Sequence, residues 1–174
     1  MATIELLNLT EWDDALVQGI VTRLCQELGL RKPVRFIFQE TWTAIEEETG
    51  EIVAGTESPE TGWDGTAGKM TNGGWVRVCI SSATEFPVVW DINPALPGQY
   101  LRHITWFDDP LEMLLYLSAH ELRHLWQWEH PKKIEQIRQL LQIDDETDAD
   151  FHALRLLSRT RQNSADFVES EQSQ

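Results

Sequence analysis

Residues 110 to 130 constrain the fold more than any other stretch, because they read as one helix that is apolar around most of its circumference yet carries His120, Glu121 and His124. Asp109 is placed to be its N-cap, Pro110 its first residue and Glu112 the reciprocal partner of a capping box. The run Met113, Leu114, Leu115, Tyr116, Leu117, Ala119, Leu122, Leu125 and Trp126 predicts a buried helix that ends before Pro131. Titratable side chains in so apolar a helix require partners. A helix advances about 100° per residue, so His120 and His124 stand one turn apart on one face, where both imidazoles reach the same ion. Glu121 flanks that ion and is placed to take a proton from water bound to it.

Catalytic zinc usually holds three protein ligands and one water, so a third ligand is required. Twenty-two positions after His124, Glu146-Thr147-Asp148-Ala149-Asp150 opens a second helix that continues through Phe151, Ala153, Leu154, Leu156 and Leu157. At the helical period Glu146, Ala149, Asp150, Ala153 and Leu157 share a face, with Asp144 or Asp145 placed to cap the start. Alanines at 149 and 153 allow close packing on the first helix. That brings Glu146 to the ion and lets Asp150 hydrogen-bond the far nitrogen of a ligand histidine.

The pattern His120-Glu121-x-x-His124 with Glu146-x-x-x-Asp150 resembles the gluzincin metallopeptidases, in their small single-domain form. The resemblance covers residues 110 to 158 and implies an α+β, zincin-like fold. In that fold an N-terminal helix and a small mixed or antiparallel sheet precede the two helices that hold the ion. It further implies one Zn2+ on His120, His124 and Glu146, with Glu121 as general base and acid and Asp150 as the partner of a ligand histidine. The activity implied is hydrolysis of a peptide or protein substrate. Large members supply an oxyanion-stabilising His or Tyr after the third ligand. Here His152 follows, but it projects about 120° from Glu146 around the helix. Tyr116, one turn before His120, is the candidate instead, with Tyr100 and His103 behind it.

Two other readings use the same residues. Cys79-Ile80-Ser81 precedes His120 by 41 positions, a spacing similar to that of peptide deformylases, which would make Cys79 the third ligand of an amidase. The Glu-Gly that precedes the cysteine in that family is here Arg77-Val78. The other reading is a zinc-binding regulatory or interaction module that keeps the scaffold without turnover.

Elsewhere, Thr10 and Asp13 are placed to cap a helix that runs through Leu16, Val21 and Leu24 to Gly29. Val34 to Gln39 reads as a strand, and Thr41 to Glu47 with Glu51 to Gly55 as a hairpin around Thr49-Gly50. Residues 56 to 74, rich in glycine, read as a long loop. Residues 74 to 81 form the clearest strand. The resemblance to zincins, in which a strand upstream of the ligand helix edges the cleft and pairs with an extended substrate, implies substrate binding through Trp75, Val76, Arg77 and Val78. Residues 82 to 108 read as an irregular aromatic connection.

The chain has 174 residues, enough for one core without staples, so residues 1 to 160 are expected to form a single domain and 161 to 174 a flexible polar tail. A net charge of −15 argues against nucleic acid or an anionic membrane as partner. Without a targeting segment or a long apolar run, and with Cys25 and Cys79 read as buried free thiols, a cytoplasmic protein is expected.

Overall fold

The computed structural model describes residues 2–57, 62–92 and 103–172. In chain order these form β1 (Ile4–Leu9), α1 (Asp14–Leu28), β2 (Val34–Gln39), β3 (Trp42–Ile45), β4 (Ile52–Glu57), β5 (Trp63–Met70) and β6 (Gly73–Ile80). They continue with β7 (Val88–Ile92), β8 (His103–Phe107), α2 (Pro110–Glu129), α3 (Pro131–Leu141) and α4 (Asp145–Gln172). The fold is mixed α+β. The main sheet has the order β1-β2-β6-β5, with β1, β2 and β6 parallel and β5 antiparallel to β6. Strands β3 and β4 form one hairpin and β7 and β8 another antiparallel pair. None of the described helices is long and apolar enough to cross a membrane.

Local chemistry accounts for the helix boundaries. Asp13 accepts a hydrogen bond from the Leu16 N–H at 2.8 Å, and α1 stops at Gly29, whose φ of 67° is the left-handed conformation a helix end favours in glycine. Asp109 accepts from the Glu112 N–H at 2.9 Å and Pro110 opens α2 as expected.

Alternation along the strands divides the sheet into two faces. Phe36, Phe38, Val76, Val78 and Ile80 join Val17, Val21 and Leu24 of α1 and Leu114, Leu122 and Leu125 of α2 in one buried cluster. The other face is covered by the β3–β4 hairpin. Trp75 Nε1 donates to the Glu47 carbonyl at 3.0 Å, and the Arg77 guanidinium lies 3.4 Å above the Trp42 ring while donating to the Thr43 carbonyl at 2.5 Å.

The structure corrects several sequence expectations. β1 precedes α1, and its place comes from parallel pairing with β2, a contact that short-range patterning does not encode. The expected loop at 56–74 contains β5 and the start of β6. Its glycines follow from close approach, since a Cβ on Gly68 would lie 2.2 Å from the Trp75 ring and one on Gly74 2.4 Å from Leu125. β6 is an inner strand with both edges paired, so it offers no edge to an added strand, and Val76 and Val78 are wholly buried against the helices. The connection at 82–108 holds β7 and β8; Tyr100 and the side chain of His103 lie outside the described residues. Helix α3 was not expected, and α4 continues to Gln172 through residues read as a tail.

Candidate metal centre

The first turn of α2 is tied to α4, and the start of α4 carries its own cap. Glu112, in the first turn of α2, accepts from Arg161 of α4 at 2.7 and 2.6 Å and from the Asp108 N–H at 2.9 Å. Arg161 also donates to the Trp106 carbonyl at 2.5 Å. At the other end Asp144 caps α4 by accepting from the Thr147 N–H at 2.8 Å. Between these ties Ala149 and Ala153 are fully buried, and their small side chains let α4 lie against α2.

That packing brings His120, His124 and Glu146 together, the group among the described residues whose donor atoms are close enough to hold one ion. The two Nε2 atoms stand 3.1 Å apart, Glu146 Oε2 lies 3.3 Å from His120 Nε2, and Glu146 Oε1 lies 3.5 Å from His124 Nε2. Neighbouring ligands of a tetrahedral ion with bonds of about 2.0–2.1 Å are separated by about 3.3–3.4 Å, so the three donors fit one face of such a tetrahedron. Glu146 has a side chain 72% exposed, which leaves the centre open on its outer side.

Each histidine is held from behind. His120 Nδ1 lies 2.9 Å from Asp150 Oδ1, off the direction of a straight hydrogen bond, and the same oxygen accepts from the Tyr116 hydroxyl at 2.8 Å. His124 Nδ1 meets Gln127 Oε1 at 2.9 Å. With the Nδ1 atoms turned toward acceptors, the Nε2 atoms face one another, an arrangement that a cation between them would satisfy. A proton can serve in place of a metal. Burial opposes charge on His120, but Asp150, Glu146 and Glu121 outweigh it and lift the ring to about 10. The same contact with His120 holds Glu146 below the usual carboxylate range.

Glu121 sits beside this group under β5. It is buried, and that burial, opposed by His120 and reinforced by Glu146, Asp64 and Asp150, pushes its carboxyl up to about 7. Gly65 pairs with Val78 and so faces the helices, and a Cβ there would lie 2.8 Å from Glu121 Oε1. The glycine makes room for the acid.

The other sequence candidates divide. Tyr116 is 2% exposed and its hydroxyl donates to Asp150, which it supports. Cys79 is buried in β6, outside the ligand group, and with Cys25 is a free thiol. His152 lies in the fields of Arg123, Arg155 and Asp148, likewise outside the ligand group. Trp75 and Arg77 line a cleft of about 550 Å³ with Thr66 and Lys69 of β5 and Trp128 of α2, whereas Val76 and Val78 are buried against the helices. The sequence reading missed Gly65, Gln127, Asp148 and Arg123. Gln127 had a legible signal, three positions beyond His124 on the same helix face; the others depend on contacts between distant segments. No protein-family model, characterised protein or solved structure matches the chain.

Proposed function

We propose that the protein is a zinc-dependent peptidase with a zincin-like arrangement, in which His120, His124 and Glu146 hold the ion and Glu121 is the general base. The observation that carries this reading is the ligand triangle with a buried, high-pKa carboxylate beside it and an exposed third ligand. Two imidazoles and a carboxylate suit zinc. When bound, zinc supplies Lewis acidity, lowering the pKa of water and polarising a carbonyl. Glu121 accepts the proton of the attacking water and passes it to the departing amine, a role served by a carboxyl poised near neutrality. Asp150 and Tyr116 keep His120 oriented.

The substrate is read as an extended polypeptide. Among the described residues of the main sheet β5 pairs only with β6, so its other edge is read as the one that takes an added strand, and β5 passes over Glu121 at Gly65. The adjoining cleft at Lys69, Trp75 and Trp128 would take side chains beyond that point. The reading that zinc is bound without turnover is favoured by one observation, the commitment of the Tyr116 hydroxyl to Asp150.

Zinc content and cleavage of a mixed peptide library, measured on wild type and Glu121→Gln, separate the two. The peptidase reading expects one zinc in both proteins and cleavage slowed by about 10²–10⁴ in the variant. Equal cleavage by zinc-loaded Glu121→Gln would refute it. Zinc without cleavage in wild type would leave the binding module.

A further inference from the structure

Gln127 is 2% exposed, and each end of its amide is engaged. Its Nε2 lies 2.9 Å from the Asp145 carbonyl oxygen and 3.0 Å from Asp148 Oδ2. Both of these partners only accept, so the NH₂ end of the amide must point at them and the oxygen must point the other way. That oxygen is 2.9 Å from His124 Nδ1. An oxygen there requires Nδ1 to carry the ring proton, which leaves Nε2 as the free lone pair in the ligand triangle.

The acceptor that fixes the amide is itself fixed. Asp148 is 7% exposed and receives Arg123 Nε at 2.8 Å and Nη2 at 3.1 Å, a paired arrangement that leaves its carboxylate little freedom. Arg123 is anchored in turn with its guanidinium 3.8 Å over the Trp126 ring. A chain of fixed donors and acceptors thus runs from Arg123 through Asp148 and Gln127 to His124.

We infer that Gln127 is a positioning residue of the metal centre, setting the tautomer and ring orientation of His124, and that Asp148 with Arg123 locks Gln127 in the one amide orientation that does so. The inference rests on the metal-centre reading above and deepens it. The two histidines differ as a result: His120 is backed by a carboxylate and His124 by a neutral amide, which keeps one negative charge out of the buried side of the site. The neutral backing depends on donors from Gln127 to two acceptors, so a carboxyl at 127 would face Asp148 with like charge.

Two variants test the inference on the full chain, with zinc affinity measured by competition against a chromophoric chelator and stability measured separately on the metal-free protein in urea. Gln127→Met keeps the volume and removes the acceptor; zinc affinity is expected to fall about 10–100-fold. Gln127→Glu keeps an acceptor for His124 and loses the donor to Asp148; it is expected to lower stability more than Gln127→Met while holding zinc more tightly than that variant. In NMR spectra of the zinc-loaded protein the slowly exchanging Nδ1–H signal of His124 is expected in wild type and Gln127→Glu and lost in Gln127→Met. Zinc affinity unchanged in Gln127→Met, or affinity that simply follows stability across the two variants, overturns the inference while the metal centre stands. A wild type that binds no zinc overturns both.

Discussion

Gly65 and Glu121 are in contact across the β5–α2 boundary so closely that a Cβ on the glycine would stand 2.8 Å from Glu121 Oε1 and 2.9 Å from its Cγ. A backbone that presses on a buried acid fixes where the acid can point. Gly65→Ala therefore displaces the end of a flexible side chain, and the folded state absorbs the methyl at a cost of about 1–3 kcal/mol. Cleavage, by contrast, is expected to drop about 10²-fold, because a base moved by an ångström is badly placed, while zinc content stays at the wild-type level. Steady-state kinetics beside elemental analysis checks this; parallel loss of zinc would place Gly65 under the ligands instead.

Metal should also be visible as stability. A ligand at a thousand times its dissociation constant adds about 4 kcal/mol to folding, and for a domain of this size each kcal/mol moves Tm by about 2–4 °C. Chelation should lower the Tm of wild type and of Cys79→Ser alike, since Cys79 lies outside the ligand group. His120→Ala and Glu146→Ala should begin at the lower Tm and show little further change. Thermal scans with and without chelator decide it, and a chelator-insensitive Cys79→Ser would move the third ligand to the cysteine.

Ala153 is 0% exposed where α4 packs on α2. Ala153→Leu inserts three carbons into that contact, and the expected cost is about 1–3 kcal/mol with the two helices pushed apart. Glu146 travels with α4, so zinc affinity should weaken as well. The magnitude is read from urea unfolding and chelator competition; unchanged affinity would mean that the start of α4 is held by Asp144 and its neighbours independently of the alanine seam.

His152 sets a pH dependence away from the metal. Burial, then Arg123 and Arg155, lowers its ring to about 4, and its Nε2 is buried without a hydrogen-bond partner. In the unfolded chain the ring titrates near 6.5. Between those values the unfolded state binds the extra proton, so this residue leaves stability untouched above 6.5 and lowers it as pH falls from 6.5 toward 4. Allowing for partial exposure the penalty is about 1–2 kcal/mol. Urea unfolding of wild type and His152→Phe from pH 7.5 to 4.5 isolates it as the difference, which should grow toward acid; a flat difference would show a ring that protonates in place.

The ligand helix was legible because one segment carries its whole signal: cap, proline, apolar circumference and two histidines at one-turn spacing all fall within residues 109 to 131. Glu146, Asp150 and the alanines were legible for the same reason, as a periodic face on a second helix. β5 was not. Its glycines Gly65 and Gly68 look like loop formers in isolation, and only the presence of Glu121 and Trp75 against them explains why the strand lacks a side chain at those two positions. Tyr116 was legible as a neighbour of His120, but its hydrogen bond to Asp150 was not, since helical periodicity sets the face of a hydroxyl and not its acceptor.

The sequence by itself determined which residues can bind a metal, which helices carry them and that those helices are buried, because each of these follows from short-range periodicity and residue chemistry. Tertiary structure alone decided which strand stands at the edge, what backs each histidine and which way the Gln127 amide faces. Those depend on pairings such as Arg123 with Asp148 and Gly65 with Glu121, where segments far apart in the chain meet and the free energy belongs to the contact rather than to either segment.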